Sequence, residues 1–243
     1  MIKVVVTADD YGFTKGISDG ILYAHHNGIV TFTTAMTNMD YFKIAAKELK
    51  NTPTLGGGVH LNLTIGKSLT KNNTLTDKNG YFIKNIGVQT CALPIYEADV
   101  DEIYLEWKAQ IEEFIKYVGY VPLQIDGHHG FHYYPRFQPI TRRLIEEYRF
   151  TARVVDSPYL FLRGFYAEDA TVEKIKEILT LYTPVPTLEL VTNPGFCDEE
   201  LISMSGYSYG RTKEIEALCS QEVKDFIREN GFELVIPERR NKL

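Results

Sequence analysis

The sequence predicts an α/β fold built on a parallel sheet. Short β-branched apolar runs alternate with amphipathic stretches along the chain, which is the βαβ rhythm. At 243 residues the chain has the length of one large α/β or barrel domain. Acidic and histidine-containing motifs fall directly after the apolar runs, at the strand ends where α/β folds gather their chemistry.

Taken in order, residues 2–6 form a run of the kind found in buried parallel strands, and Asp9 and Asp10 fall just past its C-terminal end. Helical spacing covers 16–27, with Ile17, Ile21, Leu22 and Ala24 on one side and Asn27-Gly28 as the C-cap. Residues 29–36 read as a second strand and 41–49 as a helix, and 55–63 contains a third strand after an approach of glycines. From 64 to about 98 Gly, Asn, Lys and Thr dominate, so a surface loop insertion, functional or lid-like, is expected inside a single domain spanning 1–243. Residues 99–118 form the clearest helix: Ile103, Trp107, Ile111, Phe114 and Val118 recur at helical spacing, with Asp101 and Glu102 in the first turn and Gly119 past the end. A strand at 123–125 runs into Asp126-Gly127-His128-His129. A helix at 140–148, a strand at 152–155, a helix at 171–181, a strand at 187–191, a helix at 213–230 and a strand at 233–236 complete the alternation.

Composition narrows the function. Lys and Arg number 26 against 32 Asp and Glu, a formal charge of −6, with no basic run. A nucleic-acid groove or an anionic membrane surface needs clustered positive charge, so neither is the expected partner. The short apolar run at the start is not a signal peptide, and no segment approaches the roughly 18 apolar residues of a membrane span. Three cysteines, Cys91, Cys197 and Cys219, lack CxxC spacing, which suits a reducing cytoplasm. Cys91 lies in Val88-Gln89-Thr90-Cys91-Ala92-Leu93-Pro94-Ile95. That string is similar to the in-frame translation of a sequencing-library adapter and is read as an assembly artefact, with a native variable loop as the alternative; resequencing the gene across it separates the two.

Four of the six histidines occupy two short segments, Gly58-Val59-His60-Leu61-Asn62-Leu63 and Asp126-Gly127-His128-His129-Gly130-Phe131-His132. With Asp9-Asp10, three strand ends bring imidazoles and carboxylates to one face of the fold. Two imidazoles and one carboxylate are ligands for a divalent metal and leave positions open for water and substrate. Adjacent carboxylates divide the work of hydrolysis, one holding the ion while its neighbour takes a proton from the water. His25 and His26 sit at a helix C-terminus, where partial positive charge suits the dipole, and carry no expected role. Tyr133-Tyr134 and Tyr207 with Tyr209 are candidates for stacking on sugar rings.

These motifs resemble a known family. Thr7-Ala8-Asp9-Asp10-Tyr11-Gly12-Phe13-Thr14-Lys15-Gly16, then Asn27-Gly28-Ile29-Val30-Thr31-Phe32-Thr33-Thr34-Ala35-Met36, then Gly58-Val59-His60-Leu61-Asn62-Leu63-Thr64 with Gly66-Lys67-Ser68-Leu69, then Ile125-Asp126-Gly127-His128-His129-Gly130-Phe131-His132 are similar, in order, to the YdjC-like carbohydrate deacetylases, which include chitooligosaccharide deacetylases. The resemblance implies a (β/α) barrel-like single domain of the glycoside hydrolase/deacetylase type. It also implies one divalent metal and removal of acetyl groups from acetylated sugars, N-acetylated oligosaccharides in particular. Carried over by position, Asp10, His60 and His128 bind the metal and Asp9 is the general base. Magnesium follows from the family; zinc or a similar ion follows from the ligand type. A homodimer or other homo-oligomer is the expected assembly.

One departure stands out. Where the family has His-Pro-Gly after a late strand, this chain has Asn193-Pro194-Gly195. Asn cannot shuttle a proton at neutral pH, so the acid role is vacant or passes to His129 or His132, while Asn193 orients substrate or water. Arg153 braces the base or contacts the sugar. The rival readings are a metal hydrolase of another bond and a catalytically weak sugar-binding or regulatory protein.

Overall fold

The computed structural model describes residues 1–83, 95 and 97–239. One parallel sheet contains β1 (Ile2–Tyr11), β2 (Phe32–Ala35), β3 (Gly56–Leu61), β4 (Gln124–Gly127), β5 (Thr151–Ala152), β6 (Leu160–Leu162), β7 (Thr187–Thr192) and β8 (Phe232–Leu234). The strand order is β5-β4-β3-β2-β1-β7-β6, with β8 also on β1. β7 runs beside Lys3 to Ala8, while β8 pairs with Ile2 to Val4 and β2 with Thr7 to Tyr11.

The sheet is rolled into a half-barrel. Gln124 of β4 donates from Nε2 to Oε1 of Glu189 in β7 at 2.9 Å. Four strand spacings separate those residues, which would hold them about 19 Å apart in a flat sheet. Period-two alternation then sorts the inner face into layers. Val5, Phe32 and Tyr159 form an apolar base. Thr7, Gln124 and Glu189 form a polar middle layer, with Thr7 Oγ1 and Gln124 Nε2 both donating to Glu189 Oε1. Asp9, Thr34, His60 and Asp126 top it. The three glycines expected to precede β3 lie inside it, because a Cβ on Gly58 would stand 2.3 Å from the Gln124 carbonyl and 2.7 Å from the Phe32 ring.

The helices cover the outer face. Among the described residues they include α1 (Lys15–Asn27), α2 (Phe42–Asn51), α3 (Val100–Val118), α4 (Gln138–Tyr148), α5 (Val172–Leu181), α6 (Glu199–Met204), α7 (Gly210–Cys219) and α8 (Gln221–Glu229). In α3 the Asp99 side chain caps the N–H groups of Asp101 and Glu102, and Gly119 at φ 96° closes the helix. Its apolar stripe buries Trp107, Ile111 and Phe114 completely. The helix expected over 213–230 is two helices. Ser220 ends α7 and caps α8 by accepting from Glu222 N–H, so a polar cap breaks a stretch whose periodicity runs on. β6 was not anticipated, being only three residues long.

Of the expected loop insertion, residues up to 83 are described. Antiparallel bridges Lys67↔Tyr81 and Thr76↔Phe82 fold that stretch back on itself. Most of the adapter-like string lies outside the described residues; Ile95, its last residue, is buried. Cys197 and Cys219 are both free. No helix among the described residues is long and apolar enough to cross a membrane.

Candidate active site

Asp9 and Asp10 lie within β1 rather than beyond it. In a regular strand such neighbours point to opposite faces. Here the register with β2 slips between Ala8 and Tyr11, and Asp10 takes φ 73°. The bulge turns Asp10 so that both carboxylates reach one cavity, a left-handed conformation that Asp tolerates. His60 is the inward residue of β3 and pairs in register with Asp126 of β4. His128 opens the turn His128–Tyr133, in which His129 and Gly130 are both left-handed, at φ 60° and 73°.

Three donor atoms meet there. Asp10 Oδ1 is 3.3 Å from His60 Nε2 and 3.1 Å from His128 Nδ1, and the two nitrogens are 3.4 Å apart. Ion–ligand bonds of about 2.1 Å place donors about 3.0 Å apart at a right angle and about 3.4 Å apart at the tetrahedral angle, so the set fits one small divalent ion. The other nitrogen of His60, Nδ1, is 2.6 Å from Asp126 Oδ1, the carboxylate support that aims a ligand imidazole. A second trio, Asp9, His60 and Asp126, also converges.

The surrounding charge fits a cation as well. Arg153 donates to both oxygens of Asp9 at 2.9 Å and forms ion pairs with Asp126 at 2.6 Å and Glu189 at 2.9 Å. Arg211, in α7, pairs with Asp10 Oδ2 at 2.6 Å. Four buried carboxylates, Asp9, Asp10, Asp126 and Glu189, therefore face two guanidiniums, and the imidazole of His60 stands among them. Burial works against a charged His60, yet Asp126, Asp9 and Asp10 push its pKa up to about 10. Burial would raise Asp9, but Arg153 and His60 outweigh it and hold the carboxyl below its ordinary range.

The donors floor a cavity of about 480 Å³. Every residue expected at the site touches it or backs it: Asp9, Asp10, His60, His128, His129, His132, Arg153 and Asn193 all line it. His132 is nonetheless buried, and its Nε2 donates to the Arg153 carbonyl at 2.9 Å. Burial lowers its pKa to about 3. His129 packs its ring on His128, 4.0 Å between centroids. Of the tyrosines read as stacking candidates, Tyr133 and Tyr207 line the cavity. Tyr134 packs against the core and Tyr209 is 72% exposed. His25, given no role, bonds Val30 O and Thr54 Oγ1, each at 2.8 Å.

Sequence reading missed Asp126, Thr34, Glu189, Arg211 and Glu214 as site residues. Asp126 carried a local signal, standing two residues before His128. Thr34 Oγ1 sits between Asp9, His60 and Asp126 at 3.1 to 3.3 Å, a position only strand pairing reveals. Arg211 and Glu214 lie some 200 residues from Asp10 in sequence and carried no signal.

The family model described as YdjC-like protein matches residues 3–229. A carbohydrate deacetylase of Brevibacillus brevis is 34% identical over 96% of this chain and 98% of its own. A crystal structure from Enterococcus faecalis, described as a candidate cellobiose-phosphate cleavage protein, superposes with a TM-score of 0.88 at 32% identity, covering 96% and 97% of the two chains. A family 4 carbohydrate esterase from Streptomyces lividans shares the fold, with a TM-score of 0.54 at 10% identity over 97% and 92% of the two chains.

Proposed function

The chain belongs to the YdjC-like protein family, and from that membership we propose a metal-dependent hydrolase that removes acetyl groups from sugars, above all from N-acetylated oligosaccharides such as chitooligosaccharides. The observation that carries this reading is the convergence of Asp10, His60 and His128 within 3.4 Å of one another, with Asp9 beside them on the cavity floor.

Asp10 Oδ1, His60 Nε2 and His128 Nδ1 would hold the ion. Two of three donors are imidazole nitrogens, which favours zinc or a neighbouring transition ion over magnesium. A bound divalent ion supplies Lewis acidity, acidifying a water and stabilising the oxyanion of the acetyl carbonyl. Asp9 is the general base. Arg153 keeps it ionised and fixed by two parallel hydrogen bonds, and a carboxylate of lowered pKa accepts a proton only from a water that has itself been acidified. Arg153 is in turn held through its own carbonyl by His132, whose N–H is committed to that bond. Asp126 fixes the His60 tautomer. His129, Tyr133 and Asn193 line the space left for the sugar. A sugar ring needs an apolar face and a few polar partners, and this cavity offers both.

Acetate release from N-acetylated chitooligosaccharides tests the reading. Chelation is expected to abolish it and zinc to restore it. Asp9→Asn is expected to lower kcat about 100- to 10,000-fold, the usual worth of a general base. Full activity in Asp9→Asn would remove Asp9 from that role, and indifference to chelator would remove the ion.

A further inference from the structure

Hydrolysis of an amide also requires a proton on the departing nitrogen, and Asn193, which lines the cavity, offers only an amide that cannot give one up. Resting on the deacetylase reading, we infer that Tyr207 is the proton donor to the leaving amine, with the buried carboxyl of Glu214 behind it supplying the replacement proton.

Tyr207 lines the cavity, its ring stacked on Tyr166 at 4.0 Å between centroids and 25° between planes. Its hydroxyl is 2.6 Å from Glu214 Oε1 and accepts from Ala167 N–H at 2.9 Å. Glu214 is fully buried, and its Oε2 accepts from the Asn193 N–H. A hydroxyl has one proton and two lone pairs. With Glu214 ionised, the Tyr207 proton points at that carboxylate. When Glu214 carries a proton, the two lone pairs of Oη accept from Ala167 N–H and from the Glu214 carboxyl, and the phenolic proton is free to face the cavity. Burial raises the Glu214 pKa to about 7, against the opposing pull of Tyr207, Asn193 N–H and Arg211, so both arrangements are populated near neutrality.

Arg211 ties this wall to the donor trio. Its guanidinium donates to Asp10 Oδ2 at 2.6 Å, to Tyr207 O at 3.0 Å and to Asn193 O at 3.4 Å. The segment carrying Asn193 lies directly on α1: Phe196 N–H bonds Gly16 O at 3.0 Å, and a Cβ on Gly20 would stand 2.6 Å from the Gly195 Cα. Proton donor and base therefore line one cavity, joined through Arg211 and Asp10.

The step balances. As the C–N bond of the tetrahedral intermediate breaks, its electron pair stays on nitrogen, which takes the Tyr207 Oη proton. Tyr207 takes the Glu214 proton in the same motion, so no phenolate accumulates. The acetyl group leaves as acetic acid, carrying the oxygen and the second proton of the attacking water, and gives up that proton in solvent. Asp9 returns that water's first proton to solvent, and Glu214 regains one from solvent.

Tyr207→Phe and Glu214→Gln in the full chain, assayed on N,N′-diacetylchitobiose and on 4-nitrophenyl acetate, test the proposal. Nitrophenolate leaves without a proton, so the ester needs no acid. Tyr207→Phe, which keeps the stack on Tyr166, is expected to lower kcat on the amide about 100- to 10,000-fold. Its kcat on the ester and its zinc affinity by calorimetry are expected to stay at wild-type values. Glu214→Gln keeps both hydrogen bonds but cannot pass a proton, so the same amide-to-ester split is expected. Equal losses on both substrates, or no loss on the amide, overturn the proposal. A wild-type chain that cleaves the ester but not the amide overturns the deacetylase reading, and the role of Tyr207 with it.

Discussion

Arg153 decides whether the inner face of the half-barrel can hold its charge. It is 4% exposed and is the shared partner of Asp9, Asp126 and Glu189. Replacing it by Met leaves three carboxylates buried without their cation. Breaking a buried pair from one side costs about 3–5 kcal/mol, so denaturant unfolding of Arg153→Met is expected to show a loss of that order. Arg153→Lys is expected to recover little, because one ammonium cannot serve both oxygens of Asp9 and also reach Glu189. A loss under about 1 kcal/mol in Arg153→Met, the worth of a surface pair, would mean that the carboxylates simply take up protons. Asp10 carries a smaller cost. Its φ of 73° is worth about 1–2 kcal/mol of strain, which its ion pair with Arg211 helps to offset.

Among the elements, α3 does more than bury its apolar stripe. Glu102 and Glu106, four residues apart and so on one face, both catch the loop that follows β3. Glu102 accepts from Asn73 N–H, Thr74 N–H and Thr74 Oγ1 at 2.6 to 2.9 Å. The fully buried Glu106 accepts from Ser68 Oγ, Leu69 N–H, Thr70 N–H and Thr70 Oγ1 at 2.6 to 3.1 Å. One turn further on, Gln110 bonds both the N–H and the carbonyl of Asn62, two residues past His60. The polar stretch expected as an insertion or lid is thus fastened at its root. Glu106→Ala strands several donors at about 1–3 kcal/mol each. Limited proteolysis is expected to cut the variant within 66–76 while α3 and the sheet survive; a cleavage pattern like wild type would show that the bridges to Tyr81 and Phe82 suffice.

For the whole molecule, the candidate ligands come from β1, β3 and the turn after β4, and their supports from β7, α7 and the segment after β5. An ion bound there joins distant parts of the sheet and binds only the folded chain. At about 100 times its dissociation constant it adds about 2.7 kcal/mol. A chain of this size gains about 2–4 °C per kcal/mol, so zinc is expected to raise the melting midpoint by about 5–10 °C, reversibly with chelator. A midpoint indifferent to zinc would leave these donors as an internal polar network.

What the sequence determined by itself was local. Period-two and helical repeats announced most strands and helices, and the strings around Asp9-Asp10, His60 and His128 announced the donors, because each lies within a few residues of a strand end. Residues 88–94 lie outside the described residues, so the adapter reading rests on sequence alone. Only the tertiary structure decided the rest. Rolling the sheet set Glu189 of β7 against Gln124 of β4 and put Arg153 among three carboxylates. The slip in β1 that brings Asp10 beside Asp9 follows from pairing with β2. The wall of Asn193, Tyr207, Arg211 and Glu214 arrives from about 200 residues away. Sequence periodicity reports which face of an element is apolar, whereas the partners of a buried charge are set by which strands the closed sheet brings together.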